Sequence, residues 1–286
     1  MGAAWREHPS WAVVGRLSEA TGRDVGRLLV DADAEELRQT RNAQLAAFAL
    51  SLVILDAAGA SPAAVAGHSL GEYTALVAAG VLSPSAGASL VAARGSAMQG
   101  AADTNPGTMA AVLGLDALPL GEAVAPIEGA WLANDNAPGQ IVLAGTPAGV
   151  EAGGEAARAA GAKRVMALPV GGAFHSPLMA PAQAPLDSAL RAAGFGDALV
   201  PVVANVDAAA HRDGWASLLS AQLVSPVRWR ESLLTLSGLG VTHFLELGPG
   251  TELSGMVKRT VDSAARANVA TPDDLAALPA FLEAAR

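Results

Sequence analysis

A glycine-bounded serine, Gly67-His68-Ser69-Leu70-Gly71, dictates more of the local backbone of this chain than any other run of its residues. The apolar run 63–67 before it reads as a strand, and 70–79 after it as a helix closed near Gly80. A serine at such a strand-to-helix elbow is held in a strained backbone state. Side chains beside it would clash in the turn, so glycine is expected on both sides. The Ser69 hydroxyl then projects above the sheet as a candidate nucleophile. The Leu70 N–H, at the start of the helix, is placed to meet a developing oxyanion, helped by the helix dipole. The alternative is chance, because this chain is rich in glycine, with 31.

Strand-like and helical stretches alternate along most of the 286 residues, which implies an α/β protein with parallel strands. The middle of the chain has a different rhythm. Strands at 108–113, 130–133, 140–144 and 163–168 enclose a helix at 115–127 and another behind the N-cap Thr146, ending near Gly161. That β-α-β-β-α-β order is the split motif of a ferredoxin-like module. It divides the chain into a large domain, 1–104 and 172–286, and an inserted small domain, 105–171. In the large domain a helix starts at Pro84 behind the N-cap Ser83 and runs towards Gln99. Further helices are expected after Pro177, from Asp213, from Arg228, from Thr251 and over 272–284, with strands at 201–204 and 242–247.

Composition narrows the function. Hydrophobic residues make up 51%, chiefly Ala, Val and Leu divided by Gly, Pro and charges, which suits helices packed closely on a sheet. The most apolar stretch, 45–60, contains Ser51 and Asp56 and is short for a bilayer span, so it reads as a buried helix and no membrane partner is expected. A net charge of -9 without a basic run leaves no electrostatic footprint for nucleic acid. Lack of cysteine excludes disulfides, thiolate catalysis and cysteine metal sites. Residues 1–6 lack the apolar core of a signal peptide, and Arg6 interrupts a myristoylation pattern, so a cytoplasmic protein is expected.

A serine nucleophile needs a base. Of the five histidines, His8 and His211 sit in polar segments and read as surface residues, and His243 reads as a packed or edge residue of a strand. His68 is too close in sequence to share a hydrogen bond with Ser69 and reads as lining the pocket. His175 lies in the loop Gly171-Gly172-Ala173-Phe174-His175-Ser176-Pro177, where a catalytic group is at home, although a histidine capping the next helix is the plainer alternative. Arg94 lies in an unusually apolar stretch of its helix. Its guanidinium could grip a carboxylate with two parallel hydrogen bonds, or it could be an ordinary helix-surface arginine.

In their order and spacing these passages resemble one family. They are Gly67-His68-Ser69-Leu70-Gly71-Glu72-Tyr73, Arg94-Gly95 with Met98, the run 136–145, Gly172-Ala173-Phe174-His175, Pro226-Val227-Arg228-Trp229 and Glu246-Leu247-Gly248-Pro249-Gly250. The chain is similar, over nearly its whole length, to the malonyl-CoA:acyl-carrier-protein transacylases, which share a family with the acyltransferase domains of fatty-acid and polyketide synthases. The resemblance implies a hydrolase-like large domain with an inserted ferredoxin-like small domain. It implies malonyl transfer from a coenzyme A thioester to an acyl carrier protein, with malonyl-CoA as substrate and no cofactor or metal. Carried over by position, Ser69 is the nucleophile, His175 its base, and Gln222 the residue whose backbone carbonyl orients that base. Arg94 holds the malonyl carboxylate, Leu70 supplies an oxyanion N–H, and His68 lines the site. Phe174 accompanies malonyl selection, where Ser accompanies methylmalonyl. A discrete monomer is the expected state.

The sequence departs from the family pattern in two places. Family members open with an apolar strand and a Gly-Gln-Gly-x-Gln loop, whose last glutamine gives a second oxyanion N–H; here Met1 falls past that loop. A shortened start and a specialised or degraded relative both fit this, and the loss of one such donor costs several kcal/mol of transition-state stabilisation. Leu45 also follows Gln44 where the family usually has proline. Two rival readings follow. One is a coenzyme-A or carrier-protein binding relative with impaired catalysis. The other is a hydrolase-type serine esterase or thioesterase, which needs Ser, then Asp or Glu, then His. Asp135 has that order but falls in the inserted module, away from the base.

Overall fold

Apolar residues at helical spacing, punctuated by Asp caps and Gly stops, fold the first sixty residues as helices. In the computed structural model, which describes residues 1–285, α1 (Ala12–Thr21) ends at Gly22, and Asp24 and Asp33 cap α2 (Val25–Val30) and α3 (Ala34–Arg38) through their side chains. α4 (Thr40–Ala58) is long and apolar enough to span a bilayer by length and composition. It lies instead in the core, with Leu45, Phe48, Val53 and Ile54 fully buried, as expected for a buried helix. Each such side chain contributes about 1.5–3 kcal/mol of burial.

β1 (Val65–Ala66) leads through the serine elbow into α5 (Gly71–Ala78), and α6 (Pro84–Thr104) follows behind its cap, Ser83. α6 runs past Gln99 because nothing breaks it before Asn105-Pro106 and because Ala101 and Ala102 still face the core. It crosses α4 so closely that a Cβ on Gly95 would stand 2.9 Å from the Arg41 Cα.

Next come β2 (Thr108–Leu113), α7 (Ala117–Val124), β3 (Ala130–Ala137), β4 (Gln140–Gly145), α8 (Pro147–Ala159) and β5 (Arg164–Ala167). The strands form an antiparallel four-stranded sheet in the order β3-β4-β2-β5. Val112, Leu120, Val124, Ile141 and Leu143 bury one face under α7 and α8. Met109, Val142 and Ala144 turn the other face towards Ala173. α7 stops short of the expected Ile127 because Pro126 has no N–H to carry the helical ladder on. β3 runs four residues further than expected because its polar end is bonded: Asp135 N–H donates to Val227 O at 2.9 Å, and the Asp135 carboxylate pairs with Arg230.

The chain then makes a 3-10 turn over Pro177–Ala182 and continues through α9 (Gln183–Ala192), β6 (Val202–Val203), β7 (Ala210–His211), α10 (Trp215–Gln222) and α11 (Trp229–Gly238). β8 (His243–Leu247), α12 (Glu252–Thr260), β9 (Ala265–Val269), a 3-10 turn over Pro272–Ala277 and α13 (Leu278–Ala284) complete it. The expectation of parallel strands here is met in part. β1 pairs with β6 in parallel, but β7 adds to β6 antiparallel, and β8 and β9 form a separate parallel pair. Between β1 and β8 lies a cleft of about 700 Å³, lined by Val65, His68, Leu245, Leu247 and Trp229 among others. The fold is therefore mixed α/β.

Candidate active site

The elbow forms as its glycines predict, though only one of them is sterically forced. A Cβ on Gly67 would lie 1.9 Å from the Gly71 carbonyl carbon, whereas a Cβ on Gly71 meets nothing within 4 Å. Gly67 must be bare because the first turn of α5 folds back onto it; the expectation that Gly71 relieves a side-chain clash is not met. Ser69 itself sits at φ 50°, in the left-handed region. Asn205, just after β6, pins the turn: its Oδ1 accepts from Ser69 N–H at 2.6 Å and its Nδ2 donates to Gly67 O at 2.7 Å. The Ser69 N–H is thus taken. Among the described residues, Leu70 N–H has no acceptor at the head of α5.

His175 comes to Ser69 from a tight loop closed by Ser176, whose Oγ donates to Ala173 O at 2.6 Å. The histidine is 4% exposed with φ 58°. Its Nε2 lies 2.7 Å from Ser69 Oγ, and its Nδ1 lies 2.9 Å from the main-chain carbonyl of Gln222 at the end of α10. A carbonyl can only accept, so Nδ1 carries the proton and Nε2 is free to take one from the serine. Burial first, and then the Arg94 charge, pull His175 down to about 3, so the ring is neutral at physiological pH.

Arg94 is buried at 1% exposure, so the helix-surface alternative is overturned. Its Nη1 donates to Gln44 Oε1 at 2.5 Å, and its Nη2 to Gln222 Oε1 at 3.0 Å and Ser69 Oγ at 3.1 Å. The guanidinium carbon lies 5.5 Å from the Tyr73 ring centre. Among the described residues no carboxylate forms an ion pair with Arg94. Burial lowers its pKa, opposed by Tyr73 and Glu72.

His68 lines the other side of the elbow, with Nε2 2.8 Å from Asn136 Oδ1 and its ring edge-on to Trp229. Burial lowers its pKa. Phe174 is half-buried beside His175. Ser69, Leu70, Arg94, His175 and Gln222 therefore converge, with His68 and Phe174 flanking them. The other histidines lie elsewhere: His8 bonds Ser10, His211 pairs with Asp207, and His243 packs on Phe281. Asp135 is held by Arg230 and does not orient the base. Among the described residues no group of three His, Asp or Glu side chains gathers as a metal centre.

Sequence reasoning missed four residues of this site. Gln44 holds Arg94, Asn136 holds His68, Asn205 pins the elbow, and Glu72 sits fully buried beneath it. Burial raises Glu72 to about 7. Only Glu72 and Asn136 lay inside motifs that could have flagged them.

Comparison with known proteins gives the family. The acyl transferase domain pattern matches residues 11–274. A malonyl CoA-acyl carrier protein transacylase from Bacillus subtilis (strain 168) is 46% identical over 241 residues, 81% of this chain and 76% of that protein. One from Escherichia coli O157:H7 is 41% identical over 275 residues, 91% of this chain and 87% of that protein. An acyl carrier protein S-malonyltransferase structure from Vibrio cholerae superposes with a TM-score of 0.92 at 37% identity, covering 97% of this chain and 94% of that one. A malonyl-transacylase solved in complex with a type II PKS acyl-carrier protein gives a TM-score of 0.93 at 35% identity, again over 97% and 94%. The chain belongs to the acyl transferase domain family, among the malonyl CoA-acyl carrier protein transacylases.

Proposed function

We propose that the chain moves a malonyl group from malonyl-CoA to the phosphopantetheine thiol of an acyl carrier protein, through a malonyl ester on Ser69. The observation that carries this reading is the buried cation at the nucleophile. Among the described residues, the hydrogen-bond partners of the Arg94 Nη atoms are two neutral amide side chains and the Ser69 hydroxyl. A guanidinium that deep is costly until an anion joins it, and a carboxylate at the far end of the acyl group supplies one with bidentate geometry. The names of the relatives, and the neighbour solved with an acyl-carrier protein, support the same donor and acceptor.

In the first half-reaction Ser69 Oγ attacks the thioester carbon as its proton passes to His175 Nε2. The charge on the tetrahedral oxygen is met by Leu70 N–H. The C–S bond breaks, and the departing sulfur takes the proton from the imidazolium. In the second half-reaction the carrier thiol gives its proton to Nε2 and attacks the ester carbonyl, and Ser69 leaves with that proton. The Gln222 carbonyl holds the ring in the tautomer both steps need. Phe174 serves as the wall that restricts the acyl group to malonyl, and His68 as the opposite wall.

We also read 105–171 as a ferredoxin-like insert in a hydrolase-like domain formed by 1–104 and 172–286. An esterase would need a carboxylate on His175 Nδ1, where the Gln222 carbonyl sits.

The test is transfer to purified holo acyl carrier protein. Malonyl-loaded carrier is expected with the wild type and none with Ser69→Ala. Release of malonate without loaded carrier would favour the thioesterase. Binding of the thioester with neither product would favour the non-catalytic relative.

A further inference from the structure

Glu72 directly follows the glycine-bounded serine motif and is fully buried, yet no step of the transfer uses it. A carboxyl group in such a place is costly unless it is hydrogen-bonded. Its bonds converge on one oxygen. Oε2 accepts from Gln222 Nε2 at 2.7 Å and from the Asn205 backbone N–H at 3.1 Å, while Oε1 has no partner among the described residues. The two donors belong to the two supports of the site, and Gln222 Nε2 also reaches the nucleophile directly, donating to Ser69 O at 3.0 Å. The Gln222 carbonyl fixes the His175 ring through Nδ1. The Asn205 side chain pins Ser69 N–H and Gly67 O.

The geometry points to Glu72 as a positioning residue: one buried oxygen ties the support of the base to the support of the nucleophile and so sets Ser69 against His175. The inference rests on the reading of those two residues as nucleophile and base. Glu72 touches neither reacting atom and acts through Gln222 and Asn205. Without it, one N–H of the Gln222 amide, whose other N–H keeps Ser69 O, and the Asn205 backbone N–H lose their shared acceptor and can regain one only by moving. A displacement of about 1 Å in such a site is enough to cost about 100-fold in rate. The oxygen of a glutamine amide can take both bonds, and its NH2 would fall where Oε1 already has no partner.

The experiment follows the rate at which a fluorophosphonate labels Ser69, read by intact-protein mass, with Ser69→Ala as the blank. Glu72→Ala is expected to reach wild-type extent about 10- to 100-fold more slowly. Glu72→Gln should stay within about threefold of wild type. Glu72→Asp keeps the charge but draws the oxygen back by one methylene. It should label about tenfold more slowly, and it serves if Glu72→Ala does not fold.

Wild-type rates in Glu72→Ala or Glu72→Asp overturn the proposal. So does a reduced extent at an unchanged rate, which a purely structural role produces. Glu72→Gln as slow as Glu72→Ala also overturns it, because charge rather than the shared acceptor would then be responsible. The malonyl reading fails separately: a wild type that labels quickly but takes no malonyl sinks that reading, and the Glu72 rates still decide this one. A wild type that does not label overturns both.

Discussion

Ser69 and His175 face each other with Oγ and Nε2 2.7 Å apart, and both hold the left-handed backbone conformation, at φ 50° and φ 58°. Among the described residues Ala208 is the one other non-glycine residue in that region. Each such conformation costs about 1–2 kcal/mol for an L side chain. The fold sustains it because Asn205 grips the elbow and the Gln222 carbonyl grips the histidine. Strain gathers where Oγ must be aimed at a base that arrives from 106 residues away.

That strain is measurable. Ser69→Gly and Ser69→Ala both remove the nucleophile, but only glycine relaxes the backbone. The glycine variant should be more stable than the alanine variant by about 1 kcal/mol, or about 2–4 °C in Tm. Equal thermal denaturation midpoints would mean that the elbow is not strained as described.

Arg94 governs the choice of acyl group. Arg94→Ala should lower kcat/KM for malonyl-CoA by about 100-fold or more, the scale of breaking a buried charged pair. Transfer of acetyl, which has no carboxylate to hold, should fall much less. Steady-state transfer of both groups decides this, and an equal loss would remove the carboxylate assignment.

The base sets an unusual pH dependence. Because burial and Arg94 hold His175 at about 3, its proton-accepting form is lost only well below the ordinary histidine range. Labelling of the free site by an uncharged serine probe should hold level between about pH 8 and about pH 5. An acyl carboxylate on Arg94 cancels that residue's contribution and leaves burial as the chief cause of the lowering. The acid limb of kcat for malonyl-CoA should therefore lie at higher pH than that of probe labelling. Coincident limbs near the ordinary histidine value would contradict the assignment.

Glu72 makes an opposite contribution to stability. Burial raises it to about 7 from an ordinary 4.5, so between those values the folded protein binds a proton that the unfolded chain has lost. Its contribution is full below the lower value and is lost as pH rises through the upper one. Glu72→Gln carries no such proton, and the lowered histidines are common to both proteins. The Tm of the variant minus that of wild type should grow between about pH 5 and about pH 8. A difference that stays constant would show that Glu72 does not titrate in this range.

Features were legible in the sequence when their cause was local. Gly67 announces the elbow because the clash it avoids lies four residues away, and Ser83 and Thr146 announce helices because their side chains accept from N–H groups three residues on. His175 emerged by elimination among five histidines, and Gln222 came only through the family likeness, since a backbone carbonyl has no signature in side chains. Asn205 was silent: it meets Ser69 across 136 residues and sits in no pattern of its own. β9 was missed because its Ala-Arg-Ala-Asn-Val sequence is too polar to read as a core strand, and only β8 gives it a partner.

The central claim is the covalent one, and intact-protein mass spectrometry after a brief exposure to malonyl-CoA tests it most directly. A malonyl adduct should appear on the wild type, be absent from Ser69→Ala, and clear when holo acyl carrier protein is added. A folded wild type that gains no adduct, or a Ser69→Ala protein that gains the same one, would contradict the account.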